Sequence, residues 1–284
     1  MSDRSKNNDR NRKKPILALV LLIIFFCMIW TWVPVTERIS INMPGITETG
    51  VRIALITDLH SCYYGKDQKW LIERIDRERP DIVILAGDIF DDKLDDKNAK
   101  ITLTDLADRY PCFYVTGNHE FWSGRADEMK AFVRNADITV LEGDCSSVEV
   151  SGVTLDICGV DDPDGVSKDM WTKQLDDAFA KTDSSHIRVL VSHRPEKVSA
   201  YQQYGFDLIL TGHAHSGQFR IPFINKGILA PDQGFMAEYV NGIYMLPNGS
   251  IMEVSRGLAR ESTPLPRFFN HPEVVLLVLE KDRA

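Results

Sequence analysis

The chain opens polar, turns continuously apolar, and then settles into short alternating blocks. Residues 1–14 are polar and basic, and residues 15–33, PILALVLLIIFFCMIWTWV, carry no charge. A bilayer core needs about 20 apolar residues, so this run predicts one transmembrane helix. Trp30 and Trp32 stand at its exit, where interfacial aromatics sit. No small-x-small cleavage site follows, which favours an uncleaved anchor over a signal peptide. The tail carries Arg4, Lys6, Arg10, Arg12, Lys13 and Lys14 against Asp3 and Asp9. By the positive-inside rule the N-terminus then lies in the cytoplasm and the bulk of the chain outside it, at the cell membrane.

Residues 34–50 read as a linker or a first irregular strand, and residues 51–284 as one domain. From Val51 the pattern alternates apolar strand, polar loop and amphipathic helix. VRIALIT (51–57), DIVILA (81–86), CFYVT (112–116), IRVLVS (187–192) and DLILT (207–211) are short, β-branched or aromatic runs that predict strands. KDQKWLIERIDRE (66–78) places Trp70, Leu71 and Ile75 at helical spacing; further helices are expected near 97–108, 124–135 and 168–180, with a hairpin over 146–158. Strands alternating with helices imply an α/β layered domain. Beyond Gln218 glycine and proline become frequent, and IMEVS (251–255) and VVLLVLE (274–280) predict a second, more antiparallel sheet.

Each of five strands runs into a polar ending. The endings are Asp58-Leu59-His60, Gly87-Asp88, Gly117-Asn118-His119-Glu120, His193, and Gly212-His213-Ala214-His215. Ligands of α/β sheets bind beyond the carboxyl ends of the strands, so these loops are expected to meet in one crevice. Taken singly, an Asp after a strand is a turn residue or helix cap, and a lone His is a satisfied structural residue. Five of the seven histidines nevertheless sit at these endings. For His186 and His271 a surface or capping role is expected. Carboxylates, a carboxamide oxygen and imidazoles suit borderline divalent ions such as Mn, Fe, Zn or Co, and seven potential ligands suffice for two ions sharing a carboxylate. Glu120 reads either as a group orienting an imidazole or as an exposed carboxylate at a helix start.

Composition narrows the partners. The 284 residues are 44% hydrophobic, enough for a sizeable core, with a net charge of −8. Because the tail is basic, the rest is more acidic still, and a nucleic acid is not an expected partner. A serine hydrolase is excluded by the lack of G-x-S-x-G.

Asp-x-His, Gly-Asp, Gly-Asn-His-Glu, a lone His and Gly-His-x-His, in that order over roughly 51–216, resemble the calcineurin-like metallophosphoesterase family. The stretch GQFRIPF…SRGLA…PRFFNHPEVVLLVL is similar to its membrane-associated YkuE/YaeI/LpxG-like branch. The resemblance implies a two-sheet mixed β-sandwich flanked by helices. It also implies one metal on Asp58, His60, Asp88 and His215, and a second on Asp88, Asn118, His193 and His213. His119 then faces the phosphate as proton donor or charge stabiliser while a metal-bridged hydroxide attacks phosphorus. The implied substrate is a phosphate ester or pyrophosphate, either a lipid-linked one such as UDP-2,3-diacylglucosamine or a general monoester or diester; a non-catalytic metal-binding module is the alternative. Trp122, Phe219, Ile221, Phe223, Phe235, Phe268 and Phe269 are candidates for an acyl groove, with local packing the favoured reading.

A two-residue turn at Ser151-Gly152 would bring Cys145 opposite Cys158 in a non-hydrogen-bonded pair, where a disulfide can form. Free thiols are the favoured state.

Overall fold

The computed structural model describes residues 15, 32–218, 229–262, 267 and 269–282. In chain order the strands are β1 (Val35–Met43), β2 (Val51–Ile56), β3 (Ile82–Ala86), β4 (Cys112–Val115), β5 (Thr139–Val140), β6 (Asp144–Val150), β7 (Val153–Gly159), β8 (Ile187–Val191), β9 (Leu208–Thr211), β10 (Leu229–Ala230), β11 (Gly234–Phe235), β12 (Gly242–Met245), β13 (Ile251–Val254) and β14 (Glu273–Lys281). The helices are α1 (Lys69–Glu78), α2 (Lys97–Ala107), α3 (Asn118–Trp122), α4 (Ala126–Asn135), α5 (Lys168–Ala180) and α6 (Val198–Tyr201).

Two mixed six-stranded sheets lie face to face, in the orders β1-β14-β2-β3-β4-β5 and β12-β13-β9-β8-β7-β6. Strand alternation decides which side chains fill the gap between them. Ile53, Leu55, Ile82 and Ile84 of the first sheet meet Leu155, Ile157, Val189 and Leu208 of the second. The intervening residues are apolar too: Ala54, Ile56, Val83 and Leu85 face Leu71, Ile75, Leu103 and Leu106 of α1 and α2. On the other outer face Cys158, Leu190 and Ile209 meet Trp171 and Leu175 of α5. Strands covered on both faces must be apolar throughout, which is why these runs read as continuous rather than alternating.

Three expectations change. The transmembrane helix expected over 15–33 lies outside the described residues apart from Pro15, Trp32 and Val33, and no helix among the described residues is long and apolar enough to cross a membrane. The single-pass, extracytoplasmic placement is corrected on that finding. Residues 34–50 hold the nine-residue β1, parallel to β14 from Val35↔Glu273 to Met43↔Lys281. Its alternation turns Ile39, Ile41 and Met43 toward the core, a signal hidden by the charged Glu37-Arg38 pair. The two predicted C-terminal strands build no sheet of their own: β13 extends the second sheet parallel to β9, and β14 inserts into the first between β1 and β2, while the short β10 and β11 pair only with each other. Val274 to Leu277 and Leu279 of β14 are fully buried, and a central slot is the position that hides both of its faces.

The hairpin forms in the expected register. Ser151 and Gly152 both take positive φ, 52° and 76°, as a type I′ turn requires. Cys145 pairs with Cys158, and the two are disulfide-bonded rather than free thiols.

Candidate metal centre

Strands β2, β3 and β4 are mutually parallel, as are β7, β8 and β9, so the loops after five of them open at one end of the sandwich. The backbone there is forced into an uncommon region. Asp58, His60, Asp88, His213 and His215 all have φ between 45° and 63°, left-handed conformations that cost energy for non-glycine residues and cluster at functional sites. Hydrogen bonds between the loops hold them there: Asp58 N donates to Gly87 O (3.0 Å), His60 N to Asp88 O (2.9 Å), and His213 N to Asp58 Oδ1 (3.1 Å).

Two triads result. Asp58, His60 and His215 offer ligand atoms within 4.8 Å of one another, and so do Asp88, His193 and His213. Asp88 Oδ2 lies between them, 3.5 Å from His60 Nε2 and 3.1 Å from His193 Nε2. Asn118, at the start of α3, is 1% exposed beside them. The structure thus brings six of the seven candidate ligands together, with Asn118 buried one residue before His119, whose N–H donates to Asp88 Oδ1 (2.8 Å), and with the His119 ring at the rim, 4.3 Å from His60 between ring centroids.

The site's polar atoms test whether cations fit. His60 Nε2, Asp88 Oδ2, Asn118 Oδ1 and His193 Nε2 are buried and find no hydrogen-bond partner among the described residues. A buried polar atom without a partner costs about 1–3 kcal/mol, so such atoms on both triads and on the adjoining Asn118 need a common explanation. All four are lone-pair donors that a divalent ion accepts. The imidazoles are turned accordingly: His60 Nδ1 faces Asp91 Oδ2 (3.1 Å) and His193 Nδ1 donates to Ala86 O (2.8 Å). Tying one ring nitrogen to an acceptor fixes the tautomer and aims the other at a metal.

The charges are strongly coupled. Burial disfavours the Asp88 carboxylate, but His193 and His60 hold it well below the usual range. His193 is disfavoured as a cation by burial, yet Asp88 and Asp58 push it up to about 10. Burial takes His215 down to about 3 despite Asp58. His119, against its burial, is pushed up to about 9 by Asp91, Asp88 and Asp92.

Several supporting residues were not singled out by the sequence. Asp91 and Asp92 follow Asp88 closely, and Asp92 Oδ1 holds His119 Nδ1 at 2.7 Å; the GDIFDD run was the available signal. Arg194, 2% exposed, binds Asp162 through Nε and Nη2 (2.6 and 2.9 Å) and reaches Asp232, whose Oδ2 accepts from His213 Nε2 at 2.9 Å. Gly257 has φ 68°, and a Cβ there would lie 2.5 Å from Asp58, so only glycine lets this segment cross the site. Glu120 is the clearest revision. It is fully buried and accepts the backbone N–H groups of Asp88, Ile89, Phe90 and Gly117 at 2.8–3.0 Å. It clamps the loop that carries Asp88; burial and the Asp88 charge push its carboxyl up to about 7.

Of the acyl-groove candidates, Phe219, Ile221, Phe223 and Phe268 lie outside the described residues, while Trp122, Phe235 and Phe269 are exposed.

Comparison with known proteins agrees with this geometry. A metallophosphoesterase of Helicobacter pylori strain J99 is 30% identical over 239 residues, covering 82% of this chain and 61% of that one, so the chain spans about three fifths of that relative's length. Phosphodiesterase YaeI of Escherichia coli K12 is 26% identical over 153 residues, 52% of this chain and 54% of YaeI. A dimetal phosphatase from Danio rerio shares the fold, with a TM-score of 0.50 at 14% identity over 82% of this chain and 93% of that one. Residues 51–217, which hold every candidate ligand, match the family described as calcineurin-like phosphoesterases, and the chain belongs to it.

Proposed function

We propose that this chain hydrolyses phosphate esters with two divalent cations. Asp58, His60, Asp88 and His215 would hold one, and Asp88, Asn118, His193 and His213 the other, with Mn, Fe, Zn or Co all compatible with this donor set. The observation that carries the reading is that three buried, unpartnered lone-pair atoms, on His60, Asp88 and His193, belong to the two triads, with Asn118 Oδ1 a fourth such atom on the helix start next to His119. Bound there, the ions supply positive charge for phosphate oxygens and a water acidified toward neutrality.

The chain's own residues do the rest. Asp88, with one oxygen between His60 and His193, is placed to serve both ions. Its other oxygen, Oδ1, accepts from His119 N at 2.8 Å, so the residue facing the phosphate is built onto the bridging ligand. Asp92 holds His119 Nδ1, which leaves Nε2 for the leaving oxygen, where it donates a proton or stabilises charge. His119 is the partly accessible member of the group, its side chain 19% exposed, whereas the ligand imidazoles are at most 8% exposed.

A phosphodiester is the substrate class to test first, on the strength of the relative named as a phosphodiesterase. The panel is a chromogenic diester, an aryl monoester and UDP-2,3-diacylglucosamine, each with Mn-supplemented protein and metal content measured in parallel. Turnover of any of them by protein holding two ions per chain is the expected result. Two retained ions with no hydrolysis across the panel would overturn the reading in favour of a non-catalytic metal-binding module.

A further inference from the structure

We infer that Trp122 is a stacking platform for a planar aromatic group carried next to the substrate's phosphorus. The inference rests on the phosphoesterase reading above and adds a substrate class to it. Trp122 is the last residue of α3, the helix that begins with Asn118 and carries His119. Its indole is 57% exposed, yet it does not hang free. Its ring centroid lies 4.9 Å from that of His119, inclined by 45°.

The ring's polar edge is already satisfied: Nε1 donates to Asp164 Oδ2 at 3.2 Å. That same oxygen lies 2.9 Å from Arg194 Nη2, and Arg194 is anchored on Asp162 and runs on to Asp232 and His213. From below, the loop holding Asp164 closes on the same helix, since a Cβ at Gly165 would fall 2.2 Å from the Phe121 ring. The indole is therefore held in orientation by a chain of ion pairs that runs through the buried Arg194 and Asp162 and ends on a candidate ligand, and more than half of it stays open to solvent.

A scattered surface aromatic needs no explanation. This one is held in place, its hydrogen bond is made, and it stands one ring's distance from the group proposed to meet the leaving oxygen. An aryl group or nucleobase near the phosphate covers that face at little further ordering cost, because the platform is set beforehand. Stacking on an aromatic side chain is sequence- and substituent-tolerant, so the platform selects for planarity rather than for one compound.

Calorimetric titration of the Mn-loaded full chain with phenylphosphonate and methylphosphonate tests this, since both carry the anionic head and neither has an ester to cleave. The wild-type protein is expected to bind phenylphosphonate about tenfold more tightly than methylphosphonate. Trp122→Ala is expected to lose that preference while binding methylphosphonate unchanged, and Trp122→Phe to keep most of it. Equal affinities in the wild type, or an equal weakening of both ligands by Trp122→Ala, would overturn the platform and leave the phosphoesterase reading standing. Failure of the metal-loaded wild type to bind either phosphonate would overturn both.

Discussion

The two ends of the parallel strands hold the same residue types in opposite states. At the amino ends of β7, β8, β9 and β13 lies a cavity of about 620 Å³ lined in part by Thr154, Ser185, His186, Arg188 and Asp207. Every strong group there is matched. Asp156 accepts from Ser147 Oγ (2.6 Å), from Asp183 N (2.7 Å) and pairs with His186 Nδ1 (2.9 Å). Asp207 Oδ2 accepts from both Arg188 N (2.8 Å) and Arg188 Nε (3.1 Å). At the carboxyl ends, by contrast, carboxylates and imidazoles lie 3.1–3.8 Å apart with four lone pairs unfilled. An open volume is therefore a poor guide to chemistry here, and unfilled donor capacity a better one. Satisfied polar groups have already given up what they would offer a ligand.

The sharpest way to break this comparison is to change one carboxylate at each end. Asp88→Asn removes the charge shared by both triads, and hydrolysis should fall by at least 10²–10³-fold, the scale of losing one preorganised electrostatic group. Bound metal, read by elemental mass spectrometry, should drop below two ions per chain. Asp207→Asn should leave both measurements at wild-type values. Metal loss from the Asp207 variant would show that the two ends are not separable.

His119→Ala separates holding metal from using it. Turnover should decrease by about 10²–10⁴-fold, the range for a general acid or base, with both ions retained. Asp91→Asn probes one layer further out, at His60 Nδ1. An orienting partner of a ligand imidazole is worth roughly 10–100-fold in metal affinity or activity. A titration of metal against activity should show a proportionate rightward shift for this variant, and wild-type behaviour would remove Asp91 from the centre's support.

These sites differ in how legible they were. The ligands could be read because each sits immediately after an apolar strand, where the parallel pairing of β2–β4 and β7–β9 carries local sequence into a shared place. The hairpin register was readable for the same reason, being set by a local turn and the period of two. What supports the ligands was not. Glu120 gathers N–H groups from residues about thirty positions earlier, and Arg194 joins Asp162 and Asp232 from either side of it in the chain. Such contacts depend on packing that no short window encodes. The same holds for β14: its apolar run announced a strand but carried no mark of the partners, β1 and β2, between which it inserts. Trp70 shows the limit within one helix. It has helical spacing with Leu71 and Ile75 but is 59% exposed, while Ile72 takes the buried face.

The smallest predicted effect belongs to the matched end, and it has the opposite character: stability in place of turnover. Burial raises the Asp156 carboxyl, but Ser147, the Asp183 N–H and His186 outweigh it and hold the group below the ordinary carboxylate value. A group whose folded pKa is depressed stabilises the fold fully above its unfolded pKa, near 3.9, and loses that contribution as pH falls through the folded value. Denaturant unfolding of the wild type should therefore weaken below about pH 4 in part through Asp156. Asp156→Asn should cost about 2 kcal/mol at neutral pH, the scale of hydrogen bonds to a charged acceptor, and flatten that acid limb. Metal content and hydrolysis at neutral pH should stay unchanged. An Asp156→Asn variant that kept the full acid dependence would place the pH response in the unfilled carboxylates at the other end, and the distinction between a satisfied end and a reactive one would need to be redrawn around Asp58 and Asp88.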